Sequence, residues 1–109
     1  MNLKRDAGLQ LLGLCRISQN AKTGEENAEA AIRNGTAQLV ILSSDASANT
    51  KKKFHDKCSF YDVEIMETPY TKEAIGQAMG QSPRSVAAII SEGLARKLKE
   101  TINQMMGEI

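Results

Sequence analysis

Three groups of residues in this 109-residue chain carry chemistry: a glycine-led helix start, a lysine run, and carboxylates that follow apolar runs. The helix start is Gly24-Glu25-Glu26-Asn27, preceded by Lys22 and Thr23. A helix leaves its first N–H groups without intrahelical partners, and its dipole favours negative charge there. Phosphate or a base edge suits such a site. The plainer reading is that Gly24 only permits the turn, while Glu25, Glu26 and Glu29 offset the dipole themselves. On the residues alone the plainer reading prevails, because glutamate near phosphate is repulsive unless it receives a base N–H.

The lysines are Lys51, Lys52, Lys53 and Lys57, which splay over more than one face of a helix. They read as a solvated face, with phosphate contact as the functional alternative. Asp45, Glu67 and Glu92 each follow a predicted strand, where ligands of open α/β sheets collect. Asp45 and Ser91 are also good capping residues, and capping is the expected role. His55 is the single histidine and has no partner order that would make it a catalytic base, so no catalytic residue is assigned. Neither G-x-x-x-x-G-K-[ST] nor G-x-G-x-x-G occurs. Cys15 and Cys58 lack metal spacing and fit a reducing cytoplasm. No metal or cofactor is expected.

These residues must be held by elements that the apolar pattern predicts. Leu3, Ala7, Leu11, Leu14 and Cys15 recur at helical spacing, giving an amphipathic helix to about Ser18. Residues 19–23 make a short strand or loop. A second helix runs from Glu25 to Arg33, burying Ala28, Ala31 and Ile32, and ends at Asn34-Gly35. Leu39–Leu42 reads as a strand buried on both faces. Ser43, Ser44 and Asp45 supply caps for a third helix over residues 46–58. A strand at 63–66 stops at Thr68-Pro69, a helix over 71–79 has Thr71 as N-cap, and a last strand spans 86–90. Ser91 caps a final helix carrying Leu94, Ala95, Leu98, Ile102 and Met105. Strands separated by helices predict an α/β fold, a three-layer α/β/α sandwich over a small mixed sheet. The length fits one domain, 1–109. A net charge of +1 excludes a broadly basic nucleic-acid binder, so any basic patch must be local. No apolar run reaches the ~20 residues of a membrane span, and no leader pattern opens the chain, so a cytoplasmic location is expected.

The run K-T-G-E-E-N-A-E-A-A-I-R-N-G-T-A-Q-L-V-I-L-S-S-D-A resembles the kink-turn RNA-binding ribosomal-protein superfamily, the L7Ae/L30e group. Gly24 and Gly35 match its two glycines in spacing. T-K-E-A-I-G, ending at Gly76, resembles its S-K-x-x-L-G helix. D-A-S-A-N-T-K-K-K with D-K-C-S-F-Y-D-V is similar to the bacterial YlxQ-like branch. The resemblance covers about residues 11–98. It implies a non-enzymatic protein, possible ribosome association, and a grip on sharply bent RNA. The implied RNA-binding residues are Lys22, Thr23, Gly24, Glu25, Glu26, Asn27, Lys72 of the fourth helix, and Gln81, Arg84 and Ser85 of the loop before the last strand. Two departures stand out. The family's Asn-Glu pair is Glu26-Asn27 here, and its lysine one turn later is Ala30. Two other readings stay open: a protein-interaction module of the same fold, and a small ligand-binding α/β domain using Asp45. A monomer is the expected state.

Overall fold

Leu39, Val40, Ile41 and Leu42 are apolar in succession because their strand is covered on both faces. The computed structural model describes residues 6–107. In chain order these form α1 (Ala7–Ile17), β1 (Ala21–Thr23), α2 (Glu25–Arg33), β2 (Leu39–Leu42), α3 (Ala48–Tyr61), β3 (Ile65–Glu67), α4 (Lys72–Ala78), β4 (Val86–Ile89) and α5 (Glu92–Gly107). The sheet order is β1-β4-β2-β3. Strand β4 runs antiparallel to both neighbours, and β2 is parallel to β3.

The two-residue period of the strands separates two cores. Val40, Leu42, Val86 and Ala88 face Ala28, Ala31 and Ile32 of α2 and Phe54 and Cys58 of α3. Leu39, Ile41, Ala87 and Ile89 face Leu9, Leu12 and Cys15 of α1, Ile75 of α4, and Leu98 and Ile102 of α5. This is the three-layer α/β/α sandwich with a small mixed sheet. Burial pushes the thiols of Cys15 and Cys58 up to about 11, and neither is bridged. Among the described residues no helix is long and apolar enough to cross a membrane. Nor do three or more His, Cys, Asp or Glu side chains there converge as metal ligands.

Three local expectations are corrected. In α1 the buried stripe is Gly8, Leu9, Leu12 and Cys15, while Leu14 is half exposed and Ala7 faces solvent; Leu3 lies outside the described residues. Helix α3 starts two residues later, with Ser47 as its N-cap accepting from the Thr50 N–H at 3.1 Å, and it continues to Tyr61. Ser43, Ser44 and Asp45 do not cap it. Strand β3 begins at Ile65, with Val63 and Glu64 before it. The remaining caps are as read: Thr71 accepts from the Ala74 N–H at 3.1 Å and Ser91 from the Leu94 N–H at 3.2 Å.

One buried polar contact ties the two ends of this layer together. Asp6 is the N-cap of α1, accepting from the Leu9 N–H at 3.0 Å, and it also accepts from the Tyr70 hydroxyl at 2.5 Å. Tyr70 immediately precedes Thr71, the N-cap of α4, and its hydroxyl also lies 3.8 Å from Met105 Sδ of α5. Burial, then the neighbouring Asp6 carboxylate, pushes the phenol pKa upward, so Tyr70 stays a donor. Gly8 is required beside it, because an added Cβ would run into the Tyr70 hydroxyl.

Tyr70→Phe leaves a buried carboxylate short of a donor and should lower unfolding stability by about 1–3 kcal/mol. Urea unfolding should show a lower midpoint with an unchanged slope. Gly76→Ala should cost a similar ~1–3 kcal/mol, because its Cβ would lie 2.7 Å from the Ser82 carbonyl carbon and 2.9 Å from Pro83 Cα, both backbone atoms. The same unfolding titration checks it.

Candidate nucleic-acid interface

Gly24 joins β1 to α2 with φ 88° and ψ 162°, a conformation essentially restricted to glycine. Its N–H donates to the Val86 carbonyl at 2.9 Å, continuing the β1–β4 pairing one residue past the strand. The start of α2 is thereby fixed against the start of β4. With glycine at the N-cap, no side chain caps the first turn of α2. Asn27 turns back instead, its Nδ2 donating to the Thr23 carbonyl at 3.1 Å.

Across from this start stands the loop before β4. An open groove of about 400 Å³ lies between them, lined by Thr23, Gly24, Glu25, Glu26, Asn27, Pro83, Arg84, Ser85 and Val86. The loop is anchored from three sides. The Ser43 N–H donates to the Ser85 carbonyl at 2.8 Å, the Arg84 N–H to the Lys72 carbonyl at 3.0 Å, and the Gln81 N–H to the Gly76 carbonyl at 2.8 Å. Gly76 lets the loop backbone sit directly on α4. Arg84 Nη1 donates to the Ser82 hydroxyl at 2.6 Å and to the carbonyls of Ser82 and Pro83 at 3.1 Å each. This folds the guanidinium onto its own loop.

The three glutamates of α2 have separate fates, two compensated by cations and one left free in the groove wall. Residues 25, 29 and 33 lie on one stripe of the helix. Lys53 Nζ is 3.4 Å from Glu25 Oε1 and also pairs with Glu29, while Lys57 Nζ lies 3.8 Å and Arg33 Nη1 3.6 Å from Glu29 Oε2. The Lys53 ammonium, more than any other neighbour, holds the Glu29 carboxyl below its usual range. Thr50 Oγ1 donates to Glu25 at 3.4 Å. Glu26 lies off this stripe, exposed in the groove wall, and among the described residues it has neither ion pair nor hydrogen bond. Ala30 is exposed one turn further along.

The lysine run is therefore largely occupied. Lys51 pairs with Glu67 at 3.3 Å and Lys52 with Asp56 at 2.8 Å, besides the Lys53 and Lys57 contacts. His55 Nε2 sits 3.0 Å from Glu67 Oε2 in an exposed pair. By contrast, Lys22, Lys72 and Arg84 are in no ion pair among the described residues. Of the ten residues named from sequence, the groove brings together Thr23, Gly24, Glu25, Glu26, Asn27, Arg84 and Ser85. Lys22, exposed on β1, and Lys72, exposed at the start of α4, lie outside its lining. Gln81 is also outside it, with a buried Oε1 that finds no partner. Sequence reasoning did not single out Pro83 within the loop and missed Val86, a buried apolar residue that reads only as strand core. It also misplaced Asp45, whose Oδ1 accepts from the Lys72 N–H at 2.9 Å.

Known proteins resemble this chain over most of its length. The chain is 42% identical over 98 residues to the RNA-binding protein YlxQ of Enterococcus faecium, covering 90% of this chain and 93% of that one. It is 39% identical over 88 residues to the RNA-binding protein YlxQ of Bacillus subtilis (strain 168), covering 81% and 87%. Among solved structures, a protein of unknown function from Bacillus halodurans C superposes with a TM-score of 0.85 at 38% identity, covering 91% of this chain and 99% of that one. The Giardia lamblia 15.5kD RNA binding protein shares the fold, with a TM-score of 0.72 at 24% identity, covering 100% and 92%. The model of the ribosomal protein L7Ae/L30e/S12e/Gadd45 family matches residues 6–99, and the chain belongs to that family.

Proposed function

We propose that this chain is a non-enzymatic RNA-binding protein of the cytoplasm that recognises a sharply bent, kink-turn-like RNA, with a ribosomal RNA as a candidate target. The observation that carries the reading is the groove itself: an uncapped helix start on one wall faces Arg84 on the other. Free N–H groups and the helix dipole suit a phosphate. The unpaired Glu26 carboxylate suits a base N–H donor, such as the amino group of guanine. Arg84 is built to hold phosphate oxygens or a base edge. The names of the two bacterial relatives support RNA as the partner.

Ala30 favours the second reading, a protein-interaction module of the same fold, since the exposed position one turn after Glu26 carries no cation. Titration separates the two. A kink-turn RNA should bind more tightly than a straight duplex of equal length at both of two salt concentrations. Equal affinity for both, or binding to neither, sinks the kink-turn reading. Ala30→Lys should tighten kink-turn binding by about tenfold or more and steepen its logarithmic salt dependence by about 1.

Lys53 and Lys57 of α3 act here by neutralising Glu25 and Glu29 rather than by touching phosphate. Lys53→Gln should weaken RNA binding by about two- to fivefold, the effect of exposing charge near the groove through water. Adding Glu25→Gln and Glu29→Gln to that variant should restore affinity. Failure to restore it would make Lys53 a direct phosphate ligand.

A further inference from the structure

We infer that Asp45 is a positioning residue for RNA recognition: through the first turn of α4 it sets where the Arg84 wall of the groove stands. The inference rests on the RNA-binding reading above and adds a residue outside the groove to it. Asp45 lies in the turn between β2 and α3, exposed and on none of the groove-lining surface. Two hydrogen bonds in series link it to the wall. The Lys72 N–H donates to Asp45 Oδ1 at 2.9 Å, and the Lys72 carbonyl accepts from the Arg84 N–H at 3.0 Å.

Helix α4 does not need Asp45 in order to begin. Thr71 already caps it through the Ala74 N–H, so its first turn is served locally. A second acceptor reaching in from another element does something different: it fixes α4 relative to the end of β2. Core packing through Ile75, Gly76, Ala74 and Ala78 seats the body of α4, and the Asp45 contact adds a polar tie at its N-terminal end. The same turn grips its neighbours twice more, the Ser43 N–H donating to Ser85 and the Ser44 N–H to the Tyr70 carbonyl, both at 2.8 Å. The turn after β2 thus holds the start of α4 and the end of the groove loop together. The Lys72 N–H also draws the Asp45 carboxyl below its ordinary pKa, so the acceptor is anionic at neutral pH.

Simple charge counting and positioning predict opposite signs. Removing a carboxylate near an RNA surface should tighten binding if Asp45 acts only through its charge. If it positions Arg84, removal weakens binding. Asp45→Ala should bind kink-turn RNA about five- to tenfold more weakly, with a salt dependence shallower by about 1, the loss of one phosphate contact. Asp45→Asn keeps the oxygen acceptor and should stay within about twofold of the parent. Combining Asp45→Ala with Arg84→Ala should be no weaker than Arg84→Ala alone, since the two act as one unit. In the RNA-free protein, amide hydrogen exchange at Arg84 should speed up in Asp45→Ala and not in Asp45→Asn. Unchanged exchange at Arg84, additive losses, or tighter binding by Asp45→Ala would overturn the inference. A parent protein that shows no preference for kinked RNA overturns the RNA reading instead, and exchange at Arg84 then decides on its own whether Asp45 holds the wall.

Discussion

The groove depends on one backbone contact, the hydrogen bond from the Gly24 N–H to the Val86 carbonyl. It extends the β1–β4 ladder by a residue and places the first turn of α2 beside the first residue of β4. The chain must then leave the strand and enter the helix with φ 88°, which a side chain at that position would resist. The helix-start wall of the groove follows from this junction. Because Val86 is fixed, Ser85 and Arg84 before it must cross in front of the helix start. Because Gly24 carries no side chain, the helix N–H groups there stay open to a ligand.

Electrostatics then divides the molecule into a neutralised side and an available one. Lysines of α3 and glutamates of α2 are matched across the helix–helix contact, and pairs this exposed contribute little stability. Their larger effect is on the field felt at the groove, where two of three helix-start carboxylates are compensated. A chain with a net charge of +1 cannot attract RNA from a distance by its total charge. Affinity must come from a few local groups, and Lys22, Lys72 and Arg84 are cations on this side that form no ion pair among the described residues.

The sequence revealed the layers more readily than it revealed the boundaries inside them. The Leu39–Leu42 run, Thr71, Ser91 and Gly35 each had one sensible structural role and took it. The turn after β2 was different: Ser43, Ser44, Asp45 and Ser47 can all cap a helix, and local chemistry does not choose among them. The choice is tertiary, since Ser43 is buried at the sheet end and Asp45 is claimed by the Lys72 N–H. Helix α1 presents a similar degeneracy. It has apolar or small residues at nine of its eleven positions (A-G-L-Q-L-L-G-L-C-R-I), so two stripes compete. Gly8, where an added Cβ would run into the Tyr70 hydroxyl, and Gly13, where one would lie 3.0 Å from the Ala78 carbonyl oxygen, decide between them. The occupied lysines were legible in principle. Glu25 and Glu29, like Lys53 and Lys57, are four residues apart on helices that pack side by side, a spacing that matches turn for turn.

The mixture of groups in the groove also narrows what it can hold. Open helix N–H groups and a guanidinium want anionic oxygen, while the unpaired Glu26 carboxylate a few ångströms along the same helix wants a donor. A straight duplex offers phosphates along its backbone but keeps base donors inside the grooves, so a single helix turn does not meet both at once. A free anion satisfies the first set and is repelled by the second. A backbone that bends sharply brings phosphates and splayed base edges within the reach of a single helix turn. On the proposed reading, that geometric requirement, more than any count of positive charges, favours bent RNA over a regular helix or a small anion.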